Sequence, residues 1–278
     1  MMKQDFLSKE ELRKVQAYEV EALIEFDRIC KKHEIPYTLH GGTLLGAVRH
    51  NGFIPWDDDI DVAVLRSDYE KLEEIFTQEM SSRFFFQNKH TDKEWYRLYA
   101  KIRINDTLLT ECAHASRNIH QGIYIDIFPL DNIPDDQSKR RKQKRDFKII
   151  NTILSAKYID VSSRTGFNKL YACIIKLLCF PLSLDYLYRK ATSISCRYND
   201  IECKEIKNFF GAYGDREIMP KKYMTQMITI LFEGNAVSVM AEYDNVLKCL
   251  YNDYMQLPPP EKRVTRHPIE NVSFGQGD

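Results

Sequence analysis

Residues 54–65 read IPWDDDIDVAVL, and this stretch decides the fold because four carboxylates stand directly before a run of apolar, mostly β-branched residues. Successive side chains of a strand point to opposite faces of its sheet. A strand over residues 59–65 therefore places Asp59 and Asp61 on one face, about 7 Å apart. Carboxylates this close repel each other and raise each other's pKa, so the pair needs a cation or hydrogen-bond donors. The stretch predicts a site for a divalent cation at the start of a strand, with Asp57 and Asp58 in supporting roles.

A second strand supplies a third carboxylate. Residues 122–131 read GIYIDIFPLD, in which Asp126 lies between Ile125 and Ile127. A carboxylate in the middle of an apolar strand is costly to bury without a partner. A structural salt bridge or a backbone contact explains Asp126 equally well when this strand is taken alone. Together with Asp59 and Asp61, it fits one or two Mg²⁺ ions that share their remaining ligands with phosphates, which indicates phosphoryl-transfer chemistry.

The glycine pair Gly41-Gly42, followed by Thr43, stands between a predicted strand and a predicted helix. Free backbone N–H groups and a hydroxyl at such a junction can meet a phosphate, although a glycine pair often marks only a tight turn. Cationic candidates for phosphate contacts are Arg49 and, on one face of a predicted strand, Lys101 and Arg103; ordinary surface charge is the alternative for all three.

A calcium loop is the alternative interpretation of the acidic stretch. Asp57, Asp59 and Asp61 match the first three acidic positions of an EF-hand loop. The sixth position is Val62 instead of glycine, and the twelfth is Asp68 instead of glutamate. The spacing therefore argues against calcium binding of this type. His40, His50 and His267 are expected to be structural.

Composition sets the broad class. The chain has 278 residues, 44% of them hydrophobic and 29% charged, as in ordinary globular proteins. Basic and acidic residues number 40 each, and this balance gives no reason to expect a nucleic-acid partner. The seven cysteines form no C-x-x-C pair, and the first residues lack the apolar stretch of a signal peptide. The longest apolar stretch, residues 174–184, is too short to span a bilayer. We expect a cytoplasmic protein.

Hydrophobic periodicity predicts an α+β fold in one domain over residues 1–278, with a helical second half. The residues of two capping boxes, Ser8 with Glu11 and Ser67 with Glu70, and a cap at Thr43 mark helix starts. Helices are predicted over residues 8–33, 43–49, 67–79, most of 136–199 and 241–251, with breaks at 162–166 and 181. Strands are predicted over residues 36–40, 59–65, 83–88, 95–104, 107–112, 122–128 and, as a hairpin, 228–239.

The blocks LHGGTLLGAVRHNGFIPWDDDIDVAV (residues 39–64), GIYIDIFPLD and DYMQLPPPEKR, in this order, resemble the LicD family, the bacterial relatives of fukutin and fukutin-related protein. The resemblance implies a nucleotidyltransferase-like mixed sheet flanked by helices, with a largely helical C-terminal half. It places the catalytic core at about 34–131 and a helical and C-terminal elaboration at about 132–278. It also implies metal-dependent transfer of a phospho-alcohol, typically phosphocholine from CDP-choline, to a sugar hydroxyl of a cell-surface glycan such as lipopolysaccharide or a teichoic acid precursor. Mg²⁺ or Mn²⁺ is the implied cofactor, and a lipid-linked glycan is the implied acceptor.

Carried over to this sequence, the resemblance makes Gly41 and Gly42 the glycine turn, Asp59 and Asp61 the D-x-D metal ligands and Asp126 the third carboxylate. The metal would neutralise the pyrophosphate of the donor while Asp126 orients or deprotonates the acceptor, and CMP would leave. The separation of Gly42 from Asp59 is longer than in compact nucleotidyltransferases, which implies that residues 50–58 belong to the donor site.

Two other functions stay open: a nucleotidyltransferase that uses an NTP donor, and a non-catalytic scaffold that binds a glycan. A further expectation concerns residues 139–148, KRRKQKRDFK, which hold seven basic residues and one acidic residue. With the apolar stretch 174–184, they predict a peripheral contact with an anionic membrane at its inner face; a solvated helix and a core helix are the alternative. For Asp126→Ala, removal of a buried charge predicts unchanged or higher stability in metal-free protein.

Overall fold

The structure is a computed structural model that describes residues 7–157, 166–179 and 181–275. Its helices are α1 (Lys9–Lys32), α2 (Gly41–His50), α3 (Arg66–Glu79), α4 (Gln137–Lys157), α5 (Gly166–Cys179), α6 (Leu184–Ser195) and α7 (Tyr243–Tyr251). Its strands are β1 (Tyr37–Leu39), β2 (Asp61–Leu65), β3 (Phe84–Gln87), β4 (Ala100–Ile104), β5 (Leu108–Glu111), β6 (Tyr124–Ile133), β7 (Glu205–Asn208), β8 (Ile218–Pro220), β9 (Met227–Phe232), β10 (Asn235–Met240) and β11 (Ile269–Ser273).

A mixed sheet of seven strands forms the centre, and β6 is its longest strand. All ten residues of β6 are buried. β2 pairs with β6 in parallel, whereas β4 and β7 pair antiparallel with its first and last parts, respectively. β1 lies beyond β2, β3 lies beyond β4, and β8 lies beyond β7. The predicted α+β class is confirmed, and strands from both halves of the sequence build the sheet.

The helices cover this sheet through apolar stripes. α1 begins at the predicted capping box, in which Ser8 and Glu11 each accept a hydrogen bond from the other's backbone N–H. Its buried side packs against β4 and β6, and α3 packs against β2, β3 and β6. One apolar core joins α1, α2, the sheet, the β9–β10 hairpin and α7. The prediction of a single domain over residues 1–278 stays a prediction.

Two predicted caps are wrong. α2 begins at Gly41, and Thr43 lies inside it, where its Oγ1 accepts a hydrogen bond from the backbone N–H of Asp61. α3 begins at Arg66, before Ser67, and has no side-chain cap. The guanidinium of Arg66 forms two hydrogen bonds of 2.8 Å with the buried carboxylate of Asp131. This tertiary contact fixes the first turn of α3 in place of the expected capping box.

Other boundaries shift for local reasons. Residues 95–99 are not a strand, and the indole N–H of Trp95 donates to the carbonyl oxygen of Tyr99 within this loop. β6 runs on to Ile133, past its predicted end at residue 128. The break at Pro181 and the hairpin over residues 228–239 are confirmed. The break predicted at residues 162–166 lies, except for Gly166, outside the described residues. No helix in the described ranges is both long and apolar enough to cross a bilayer.

Candidate active site

A cleft of about 750 Å³ opens where β2 and β6 begin, and we call it the active-site cleft. Its walls come from the start of α2, the loop before β2, the segment after β7, the end of α7 and the residues that follow it. The side chains that line it include four carboxylates that the sequence analysis singled out, namely Asp57, Asp59, Asp61 and Asp126. The fold therefore brings the predicted acidic residues together in one concave site.

The sheet aligns three charged residues across neighbouring strands. Asp61 of β2 lies directly opposite Asp126 of β6, and Lys101 of β4 lies opposite Asp126 on its other side. Lys101 Nζ is 2.7 Å from Asp126 Oδ1 and 3.9 Å from Glu111 Oε2. The backbone N–H of Asp126 donates to the carbonyl oxygen of Ile60, which ties β6 to the residue between Asp59 and Asp61.

The loop before β2 is held by contacts from both ends of the chain. The side-chain amide of Gln16, on α1, donates to the carbonyl oxygen of Asp57. Asp58 is buried and accepts hydrogen bonds from the backbone N–H of His267 and, at 3.0 Å, from its ring Nδ1. Asp59 Oδ2 lies 3.8 Å from the same Nδ1. Asp58 thus has the supporting role that was expected, and its partner is a histidine that sequence reasoning took to be structural.

Glycines at the start of α2 let two carboxylates approach the backbone. Gly41 has a φ of +54°, and a Cβ atom there would lie 3.1 Å from Asp61 Oδ2. A Cβ atom at Gly42 would lie 2.6 Å from Asp57 Oδ2, closer than van der Waals contact allows. Both glycines line the active-site cleft, where the first N–H groups of α2 have no partner within the helix. Thr43 does not line the cleft, but its Oγ1 accepts a hydrogen bond from the backbone N–H of Asp61.

The carboxylates raise one another's pKa. Burial raises the pKa of Asp59 to about 6, although the charge of His267 opposes the shift. Burial and the charges of Asp59 and Asp126 hold the pKa of Asp61 well above its usual value. Burial also raises the pKa of Asp126, against the charge of Lys101. Burial, with repulsion between the carboxylates, therefore favours their protonated forms.

Glu19 on α1 adds another buried carboxylate. It is fully buried, and neither of its oxygens has a hydrogen-bond partner among the described residues. Burial, followed by the charges of Asp59 and Asp58, holds the pKa of Glu19 well above its usual value. Sequence reasoning missed it, yet a signal was present, because Glu19 follows Val15 by four residues and lies in the apolar stripe of α1.

The chemistry of the side chains fits a divalent cation, although the carboxylate oxygens of Asp59, Asp61 and Asp126 do not all lie within 4.8 Å of one another. The set formed by Asp59, Asp61 and Asp126 offers only carboxylate oxygens, the ligands that Mg²⁺ prefers. A further buried oxygen, Asp57 Oδ2, has no hydrogen-bond partner among the described residues. Asp58, Asp59 and His267 offer ligand atoms within 4.8 Å of one another. We regard His267 as a counter-ion instead of a ligand: although burial opposes it, the hydrogen bond to Asp58 and the charge of Asp59 raise the pKa of His267 to about 9.

The predicted phosphate-binding cations separate into two groups. Arg49 lines the active-site cleft, where its guanidinium donates to the carbonyl oxygen of Tyr254. Lys101 and Arg103 do share one face of β4 as predicted, but each is no more than 2% exposed and neither lines the cleft. Arg103 donates to Gln87 Oε1 and the Gly122 carbonyl oxygen. The burial of Lys101 and Arg103 therefore does not support direct contact with a phosphate.

Other cations reach the cleft from the C-terminal segment, which we define as residues 253–267. Its basic side chains in the cleft are Lys262, Arg263, Arg266 and His267. Arg263 Cζ lies 5.8 Å above the ring of Trp56. The sequence analysis named no cation of this segment as a phosphate contact, because the separation of 209 positions between Asp58 and His267 hides their contact. The run of basic residues after three prolines was the available signal.

Comparison with known proteins agrees with this geometry. A family model described as "LicD/FKTN/FKRP, nucleotidyltransferase domain" matches residues 34–154. The chain is also 30% identical over 270 residues to the lipopolysaccharide cholinephosphotransferase LicD of Haemophilus influenzae, and the match covers 94% of this chain and 97% of that protein. The chain belongs to the LicD family. This membership confirms the resemblance and agrees with the nucleotidyltransferase-like fold.

More distant relatives match only part of the chain. The ribitol 5-phosphate transferase FKRP is 35% identical over 68 residues in both Homo sapiens and Mus musculus, which covers 23% of this chain and 14% of each relative. An uncharacterised protein of Rickettsia prowazekii is 38% identical over 78 residues. The family and its named transferases support a phosphotransferase as the general activity of this LicD protein.

Proposed function

We propose that this LicD protein transfers phosphocholine from CDP-choline to a sugar hydroxyl of a cell-surface glycan precursor and releases CMP. The observation that carries the proposal is the pairing of Asp61 with Asp126 on adjacent strands that line the cleft. The chain also matches the H. influenzae cholinephosphotransferase over nearly its whole length. Lipopolysaccharide or teichoic acid precursors, attached to lipid carriers, are the acceptor class.

The cleft offers separate surfaces for the parts of the donor. The start of α2 presents backbone N–H groups to phosphate oxygens, and Arg49, Arg263 and Arg266 supply positive charge near them. Tyr213 and Tyr251 form an aromatic pair in the same cleft, with ring centroids 5.1 Å apart. Aromatic faces attract quaternary ammonium groups, so this pair suits the choline end of the donor.

Asp59, Asp61 and Asp126 would hold Mg²⁺ or Mn²⁺, which supplies charge neutralisation for the donor's pyrophosphate when bound. The carboxylate of Asp126 orients the acceptor hydroxyl towards phosphorus and takes up its proton as the new bond forms. Lys101 holds this carboxylate in place through the 2.7 Å ion pair. The acceptor oxygen forms a bond to the phosphorus of phosphocholine while the bond from that phosphorus to the oxygen of CMP breaks. Positioning and electrostatic stabilisation supply most of the rate in such transfers.

A donor screen with purified protein tests the proposal. The protein is incubated with Mg²⁺, a panel of sugar acceptors and one donor at a time, namely CDP-choline, CDP-ethanolamine, CDP-ribitol, CDP-glycerol or an NTP. We expect CMP release that depends on both CDP-choline and a sugar, and no release by Asp59→Asn. Pyrophosphate release from an NTP would instead establish a nucleotidyltransferase, and CMP from another CDP-alcohol would correct the alcohol.

A further inference from the structure

Helix α5 is apolar in sequence but exposed in the structure. Four of its described large apolar side chains are 48–74% exposed, namely Leu170, Tyr171, Ile174 and Leu177, whereas Ile175 is partly buried. Leu170, Ile174 and Leu177 recur at helical spacing and therefore form one stripe. A helix of this composition is normally buried, and an exposed apolar patch commonly marks an interaction surface.

The length of α5 limits what can cover it. Fourteen residues give about 21 Å of helix, shorter than the roughly 30 Å hydrocarbon core of a bilayer. The helix is therefore suited to lie in the plane of a membrane surface, with its apolar side chains inserted at the boundary between headgroups and acyl chains. This geometry agrees with the lack of a described helix able to span a bilayer.

Helix α4 packs against α5 and carries exposed basic side chains. The exposed basic residues of α4 are Lys139, Arg141, Lys142, Arg145 and Lys148. Within the described part of the chain, Lys142 and Lys148 form no ion pair. In contrast, Arg140 pairs with Glu205 and Lys144 pairs with Asp215, so these two cations are directed at the rest of the protein. Along one side of α4, Lys142 and Arg145 are followed by the exposed Ile149.

We propose that α5 and the exposed basic side chains of α4 form a docking surface for an anionic lipid membrane. Charge complementarity selects this occupant over a second copy of the chain, because two α4 helices brought together would set like charges against each other. Each basic residue near an anionic leaflet contributes about fivefold in affinity, and the attraction is screened by salt. The surface is separate from the active-site cleft, and the inference does not depend on the proposed function.

Co-sedimentation with vesicles tests the proposal on the full chain. We expect binding to vesicles of phosphatidylglycerol and phosphatidylcholine at low salt, weaker binding at 0.5 M NaCl, and little binding to pure phosphatidylcholine. Changing Leu170, Ile174 and Leu177 together to Gln should reduce the partition coefficient at least tenfold. Changing Lys142, Arg145 and Lys148 together to Gln should do the same at low salt.

A matched control separates location from total charge. Lys31, Lys71 and Lys248 are exposed lysines on three other helices. Their joint replacement by Gln removes three positive charges, as many as the α4 variant loses. This control should bind vesicles as the wild type does. Circular dichroism should show that all variants fold, since every changed side chain is exposed.

Three outcomes overturn the proposal. The first is equal partitioning of wild type and all variants, and the second is a loss of binding in the lysine control as large as in the α4 variant. The third is absence of vesicle binding together with a dimer that the α5 variant disrupts. The last result, read by light scattering after size-exclusion chromatography, would assign the surface to a second copy of the chain.

Discussion

Replacement of Lys101 by Met separates two roles for this lysine. Sequence reasoning made it a phosphate contact, whereas the structure buries it between Asp126 and Glu111. Its Nζ also lies 3.1 Å from the ring centroid of Tyr124, so the ammonium is enclosed. Met has a similar length and no charge, and the variant therefore leaves Asp126 and Glu111 buried without their shared counter-ion.

The magnitude follows from the burial of the pair. Breaking a buried ion pair by removing one partner costs about 3–5 kcal/mol. Asp126 can take up a proton, because its pKa is already raised by burial, and this uptake limits the loss. We therefore expect the free energy of unfolding to fall by about 3 kcal/mol.

Urea unfolding of metal-free protein at pH 7.5, followed by circular dichroism, measures this change. The control is Lys248→Met, which removes an exposed lysine paired with Asp244 and should cost less than about 1 kcal/mol. If Lys101→Met lowers the free energy of unfolding by less than about 1 kcal/mol and raises the KM for the donor, the structural role is refuted. Lys101 would then be a phosphate contact, as the sequence analysis expected.

Three more predictions concern the cation site and the loop that carries it. Asp59→Asn and Asp61→Asn should each lower transfer by about 10³-fold, since each removes a carboxylate ligand, while metal-free stability is kept or rises; near wild-type turnover at saturating Mg²⁺ would exclude the metal assignment. The pKa of His267 is about 9 in the folded protein and 6.5 in the unfolded chain, so the protonated ring stabilises the fold. This contribution is fully present below pH 6.5 and is lost as pH rises through 9. The free energy of unfolding of metal-free wild type should thus decline between pH 6.5 and 9 by more than that of His267→Gln, and parallel profiles would contradict the ion pair with Asp58. Gly42→Ala should cost about 1–3 kcal/mol in urea unfolding, because its Cβ atom would overlap Asp57 Oδ2, and an unchanged midpoint would show that the loop yields freely.

The ion pair between Asp126 and Lys101 changes the stability expected for Asp126→Ala. From the sequence, loss of a buried charge predicts unchanged or higher stability. The structure reverses this expectation, because the variant would remove the carboxylate 2.7 Å from the buried Lys101 and leave Glu111, at 3.9 Å, as its remaining ion-pair partner among the described residues. We now expect metal-free Asp126→Ala to be less stable than wild type. A higher midpoint of urea unfolding would show that the acidic repulsion outweighs the lost ion pair.

Patterns that repeat over short distances were readable from the sequence. The alternation around Asp61 and Asp126 located two adjacent strands, and the capping box at Ser8 located the start of α1. The register that sets Asp61 opposite Asp126 could not be read, because strand pairing between distant segments depends on tertiary packing.

Interactions between distant segments were also missed. The contact of Asp58 with His267 and the two hydrogen bonds from Arg66 to Asp131 join residues far apart in sequence. The first brings the C-terminal segment into the active-site cleft, and the second sets the start of α3. Lys101 does share one face of β4 with Arg103, as the alternation predicted. Alternation alone does not show whether that face is open to solvent or covered by aromatic rings, such as the ring of Tyr124 over which Lys101 lies.

Phosphorus NMR of one reaction tests the central claim most directly. Wild-type protein, Mg²⁺, CDP-choline and a sugar acceptor should give CMP and a new phosphodiester signal in equal amounts. Asp61→Asn, folded by circular dichroism, should give neither product. CMP formed without a phosphodiester on the sugar, or product formation unchanged in Asp61→Asn, would contradict a transfer carried out by the row of carboxylates on β2 and β6.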